Sequence, residues 1–206
     1  MFAFAAAACT GSPKPRSAPV DGADSGGRLL LWTPATLEVP ATLLVDAYNA
    51  THANQVELTL VPAAEFPGRI DAAARTGALP DLLTGGIADV PGWTSRGLYQ
   101  DITGRVDRLP FAARIDQRSV RAGTRDGAKH ALPFVVDEDG GDDIGIGRDS
   151  KKADQAWSFL FWLLSDEAQV QVLARNGNPV ARGDLSDNEF ASAPPPNSPA
   201  PSAAGR

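Results

Sequence analysis

The sequence predicts an α/β fold, a mainly parallel sheet flanked by helices, on three observations. Short apolar runs at 28–32, 56–61 and 80–84 alternate with segments of helical periodicity. The connections between them are short, as in βαβ units with right-handed crossovers. The sheet segments read as near-continuous apolar stretches, the pattern of strands buried on both faces.

Arg28-Leu29-Leu30-Leu31-Trp32 reads as the first strand. Pro40 opens a helix in which Leu43, Leu44, Ala47, Tyr48 and Thr51 recur at three and four, giving one face to pack on a sheet. Asn54-Gln55 breaks it, and Val56–Val61 alternates with period two as a second strand. Phe66 to Arg75 returns to helix, which Gly77 ends as a left-handed cap. Pro80-Asp81-Leu82-Leu83-Thr84 is a third strand ending in Gly85-Gly86. In such a sheet the ligand crevice lies outside the carboxyl ends of the strands, here Trp32-Thr33, Val61-Pro62 and Thr84-Gly85-Gly86.

Irregular, mainly helical segments follow as far as Arg121, and Gly127–Asp137 reads as a turn and a strand. Glu138–Asp143 is polar and turn-like, and Ile144-Gly145-Ile146 is a brief strand. Ser150 then caps a helix over Lys151–Leu164 whose wide apolar face makes Trp157 and Trp162 core residues. Ser165-Asp166-Glu167 places a cap and two acids where the dipole of a further helix favours them. That helix ends near Asn176-Gly177.

The ends of the chain differ in kind. Cys9, the one cysteine, follows an apolar run closing in small residues, which reads either as a lipoprotein signal segment with Cys9 as acylation site or as an apolar terminus with a free thiol. Residues 10–27 and 191–206 are rich in Pro, Ser and Ala with few large apolar side chains, and read as a disordered tether and tail. The folded part is then 28–190.

Composition excludes several functions. A net charge of -6 with no basic stripe argues against nucleic acid. His52 and His130 are the only histidines, and neither sits in a metal-binding or hydrolase pattern. No cofactor or metal is expected. The acidic run 137–143 lacks EF-hand spacing, so a solvated acidic turn is preferred to a calcium loop.

Four segments in one order resemble family 1 extracellular solute-binding proteins, the sugar-binding lipoproteins of ABC importers, nearest to trehalose- and maltose-type binders. Arg69–Gly77 with Pro80-Asp81 resembles the helix before the family's third strand, and Gly97-Leu98-Tyr99-Gln100-Asp101-Ile102 its "G-x-L-x-D-L". Gly127–Asp137 is similar to "dGk-x-yalP-f-x-x-D". Gly145–Lys152 with Ala156–Leu160 and Ser165–Gln169 is similar to "GI-x-r-x-SK … AW-x-FL … S-x-E-x-Q". In the family a long second lobe separates the last two segments. Here Asp137 runs almost directly into Gly140-Gly141, so the second lobe is largely missing, with the junction near 137–141.

The resemblance implies a periplasmic-binding-protein-like lobe with half a sugar site, formed by Trp32, Thr33, Gly85, Gly86, Asp89, Trp93, Asp137, Gly140 and Gly141. Aromatic faces stack on sugar rings and polar groups satisfy hydroxyls. A Trp ending a core strand also serves as packing, and Gly85-Gly86 also serves a tight turn. The expected protein is a monomer that binds an oligo- or disaccharide weakly if at all and partners ABC permease subunits. It is reached by the membrane only through its lipid anchor, in the periplasm or on the outer face of the cytoplasmic membrane. The alternative is a tethered interaction module or a remnant without function. Loss of a lobe is expected to leave exposed apolar surface.

Overall fold

A computed structural model describes residues 20–191. Cys9, the expected signal segment and the tail from residue 192 lie outside the described residues.

Five strands form the main sheet: β1 (Arg28–Pro34), β2 (Gln55–Val61), β3 (Leu82–Gly86), β6 (Ala131–Val135) and β7 (Asp142–Ile146), in the order β2-β1-β3-β7-β6. A two-stranded hairpin of β4 (Thr124–Arg125) and β5 (Ala128–Lys129) stands apart from it. β1 pairs in parallel with β2 and β3, whereas β7 runs antiparallel to both β3 and β6. Four of the five strands therefore share one direction, and their carboxyl ends share one edge of the sheet.

The alternation of strand side chains builds a core on each face. Leu29, Leu31, Leu82, Leu132, Phe134, Ile144 and Ile146 join the cluster formed by α1 (Glu38–Thr51) and α6 (Ala153–Leu163). Ala41, Leu44, Val45 and Tyr48 supply the buried stripe of α1. Trp157, fully buried on α6, contributes about 1.5–3 kcal/mol by burial alone. Leu83 and Ala131 face a second cluster with Phe66, Ile70 and Ala73 of α2 (Phe66–Thr76) and Trp93 of α3 (Val90–Ser95). Gly77, at φ 69, closes α2 in the left-handed conformation expected of it. Two short helices, α4 (Thr103–Val106) and α5 (Gln117–Ala122), lead to the β4–β5 hairpin, and a π-helical segment (Glu167–Leu173) follows α6.

Asp81 pins three elements together. Its carboxylate accepts from Leu30 N at 3.0 Å, Ser150 Oγ at 2.6 Å and Lys152 Nζ at 3.1 Å. This explains why a Pro-Asp before β3 and a Ser-Lys-Lys before α6 belong to one fold. Ser150 is thus no simple N-cap: it donates to Asp81 while accepting from Lys152 N at 3.1 Å.

Residues 20–27, expected in the tether, are part of the folded body. Trp157 Nε1 donates to Val20 O at 2.8 Å. Asp24 accepts from Asn54 N at 2.6 Å, and Asn54 Oδ1 accepts from Gly27 N at 2.9 Å. These bonds use side chains that composition weighs as loop formers.

The expected junction near 137–141 falls in a hairpin turn. Val136–Gly141 carries the chain from β6 into β7, with Gly140 at φ 120 and Gly141 at φ 82. Gly141 lies where a β-carbon would come within 2.1 Å of Val135 O. The expectation of exposed apolar surface is corrected: among the described residues the exposed large hydrophobics are Val20 and Val39, at 43% and 69%. β6 finds a partner in β7, and its side chains are all buried.

Gly141→Ala is expected to cost about 3 kcal/mol in urea unfolding, because backbone must move. Gly127→Ala has the same φ of 82 but open space around its β-carbon, and should cost only about 1 kcal/mol. Equal losses would show that the junction is not closed by this turn.

Candidate functional site

The carboxyl edge of the sheet gathers most of the residues singled out in the sequence. In register, Gly85 opposes Asp143 and Gly86 opposes Asp142. Ile87 N donates to Gly141 O at 3.0 Å, joining the segment after β3 to the junction. Asp89 N donates to Gly86 O at 2.8 Å and leaves its side chain exposed. Asp137 is exposed at the head of the turn, where its carbonyl accepts from Gly140 N at 3.2 Å.

Trp32 lies within β1, in register with Leu83, and packs against the cluster that holds Phe66 and Ile70 of α2. β3 and β7 separate β1 from β6, so Trp32 and Asp137 lie roughly three strand spacings, about 14 Å, apart. The indole is half-buried, and the Arg69 guanidinium sits 4.3 Å from its ring centroid. A sugar stacking there replaces this cation–π contact, worth about 0.5–1 kcal/mol at an exposed site.

Several nominated residues turn inward. Thr33 is fully buried and accepts from Thr84 Oγ1 at 2.8 Å, so it bonds strand to strand. Trp93 is 7% exposed and lies between Phe66 and Tyr99, at centroid distances of 6.0 and 6.5 Å. It is core, not a sugar platform. Gly85 serves the same packing: a β-carbon would meet Trp93 Cζ3 at 2.4 Å, so the glycine lets the indole lie on the strand. Gly140 is buried under Ile87, and its N–H is already used in the turn.

The sequence alone reads the acidic run 137–143 as a solvated turn. That holds for 137–139, but Asp142 is half-buried and Asp143 is 0% exposed. The strand DDIGI places Asp143 and Gly145 on the face opposite Ile144 and Ile146, and both faces are covered. Both carboxylate oxygens of Asp143 lack a hydrogen-bond partner, as do the buried hydroxyls of Tyr99 and Ser119. Burial pushes the Asp143 carboxyl up to about 7, with Asp142 and Asp116 adding to the effect and the nearby Ser119 hydroxyl opposing it. Burial, with Asp137 and Asp89, pushes Asp142 up to about 6. Burial likewise raises the Tyr99 phenol, with the charges of Asp143, Asp89 and Asp142 reinforcing it. Among the described residues no group of three or more His, Cys, Asp or Glu is arranged to hold a metal ion.

Two hollows in the surface lie elsewhere. One of about 550 Å³ sits near the amino ends of β1 and β2, between Asp24, His52 and Trp162. The other, about 370 Å³, is formed by residues 174–191, with Pro179 and Phe190 in its wall. Neither hollow is lined by the strand-tip residues.

No protein-family model and no curated protein sequence matches the chain. Solved structures do. The GacH receptor of Streptomyces glaucescens, solved unliganded and with acarbose, matches at TM-score 0.71 and 11% identity, over 82% of this chain and 84% of that one. The sugar-binding protein MalE of Xanthomonas citri matches at TM-score 0.67 and 10% identity, over 82% of each chain. An ABC transporter solute-binding protein of Thermotoga lettingae, bound with α-D-tagatose, matches at TM-score 0.48 and 18% identity, over 53% of this chain. The chain spans only 29% of that protein's length. The likenesses to GacH and MalE show the fold: the α/β architecture of periplasmic-binding-protein-like, MalE-type proteins.

Asp143 makes stability depend on pH. Its folded pKa is raised, so the native state holds a proton that the unfolded state has lost between about pH 4 and 7. Stability therefore falls as pH rises through that window, by up to about 4 kcal/mol for a shift of about three units. Asp24, Asp101 and Asp184 are lowered and act oppositely, but only as pH falls below the usual carboxylate range. Urea unfolding at about pH 5 and about pH 8 should give the higher stability at the lower value, and Asp143→Asn should lessen the difference, leaving the part that Asp142 supplies. A wild-type stability that rises toward pH 8 would contradict the burial of this acid.

Proposed function

We propose that this chain is the first-lobe remnant of the sugar-binding component of an ABC importer, and that its strand-tip edge is half of a carbohydrate site. The observation that carries the reading is the edge itself. Ligands of open α/β sheets bind outside the carboxyl ends of the strands. Here that edge is accessible and offers an aromatic ring, Trp32, with the carboxylates of Asp89, Asp137 and Asp142. Carboxylates accept sugar hydroxyls, and an aromatic face covers the apolar side of a ring. GacH is described with acarbose and MalE as a sugar-binding protein, and this chain shares their fold.

The rest of the proposal concerns the setting. The whole protein works as a monomer, anchored at the cell envelope by acylated Cys9 and presenting its ligand to permease subunits. Residues 137–141 are the junction where the second lobe is missing. A two-lobed protein buries most of its ligand by closing. One lobe covers one side of a sugar, so affinity is weak.

Amide and indole NMR during titration with maltose and with trehalose tests this. The expected result is a Kd in the millimolar range, with shifts centred on Trp32, Gly86 and Asp89. Trp32→Ala should weaken binding about tenfold, the worth of one good aromatic contact. Micromolar affinity would overturn the half-site, and shifts confined to residues away from the strand tips would overturn its location.

A further inference from the structure

The larger hollow, near the amino ends of β1 and β2, is remote from the strand tips. Its volume of about 550 Å³ falls among those of small-ligand pockets, roughly 300–1,000 Å³. One wall is an aromatic rack. His52, just past the end of α1, stacks on Tyr48 with ring centroids 4.0 Å apart. Trp162 of α6 stands edge-on to Tyr48 and His52, at 5.3 and 6.0 Å. His52 Nδ1 lies 3.1 Å from Tyr48 O. A carbonyl only accepts, so in the neutral ring Nδ1 carries the hydrogen and Nε2 is left as an acceptor.

Two carboxylates on the wall are held in place. Glu167 Oε2 accepts from Trp162 Nε1 at 3.3 Å. Asp24 accepts from Ala53 N at 3.0 Å and from Asn54 N at 2.6 Å. Among the described residues neither has a cationic partner. Asp166, on the same wall, is balanced by Arg182 at 2.6 Å. No Lys or Arg of the described residues lines the hollow. It thus joins fixed acceptors to an aromatic surface without positive charge. A guanidinium answers all three: it has five N–H donors, no acceptor, and a charged plane that lies well on aromatic rings.

We propose that this hollow binds an alkylguanidinium, with its N–H groups on Glu167 and His52 Nε2 and its plane against the aromatic wall. The site is separate from the strand-tip edge and stands independently of the sugar-binding reading. The group has two sources, a free ligand or an arginine of this chain. Arg16 precedes Val20 by four residues, and Trp157 Nε1 holds the Val20 carbonyl beside Asp21 in the wall. Four residues span up to about 14 Å, enough to reach the hollow.

The test titrates the full chain with butylguanidine and with butylurea, its neutral analogue of the same shape, at about pH 8, where histidine is neutral. Amide and indole NMR should show butylguanidine shifting the Trp162 indole and the Asn54 and Ser165 amides, with an affinity about tenfold above that of butylurea. Glu167→Gln keeps an acceptor for Trp162 and should remove most of that preference. Arg16→Gln separates the sources. If the native chain resists butylguanidine and the variant binds it, with the same signals displaced between the two chains, the native occupant is Arg16. If both chains bind alike, the site takes a free ligand. Absence of binding in both chains, equal affinities for the two probes, or a preference that survives Glu167→Gln overturns the inference and leaves the strand-tip reading untouched.

Discussion

The structure depends on β7 lying between β3 and β6. Leu82–Gly86 pairs with it on one side and Ala131–Val135 on the other, so one five-residue strand joins the two halves of the sheet. Its Ile144 and Ile146 fill the core under α6. Its Gly145 admits Tyr99, whose Cδ1 would stand 2.4 Å from a β-carbon there. Without this strand β3 and β6 would present open edges, a hazard for aggregation. The six residues Val136–Gly141 bring β7 back beside β6, because two glycines with positive φ let the chain reverse within a short turn.

The same strand carries the electrostatic cost. Residues that continue a strand must alternate between faces, so Asp143 is turned to a covered face while Asp142 stays near the surface. A buried carboxylate without partners is costly when charged and relaxes by holding its proton. Strain of this kind is characteristic of functional sites, and here it lies beside the only edge at which an open α/β sheet offers a ligand place.

Much of the fold was legible in the sequence because its signals are local. Leu29–Trp32, the helical spacing of Leu44 and Tyr48, and Gly77 after α2 each state their conformation within a few residues. The long-range bonds were not legible. Nothing in Pro80-Asp81 announces that its carboxylate will tie Leu30 to Ser150 and Lys152, and nothing in Asp24 announces its hold on Asn54. The site was legible in place more than in detail. Strand ends pointed to Gly86, Asp89 and Asp137, but whether Trp93 faces solvent or Gly85 depends on the packing of α3. Asp143 was missed because a run of acids reads as solvated unless its strand register is known. The alternation in Ile144-Gly145-Ile146 was the available signal.

The account turns on whether β7 is an integral central strand in the isolated lobe, and amide hydrogen exchange measures this most directly. Central strands open only with global unfolding, whereas attached edges fray at lower free energy. The amides of Ile144 and Ile146 should exchange with the same free energy as those of Leu29 and Leu31. Exchange of β7 by a separate, lower-energy opening while β1 stays protected would contradict a lobe sealed by its own hairpin.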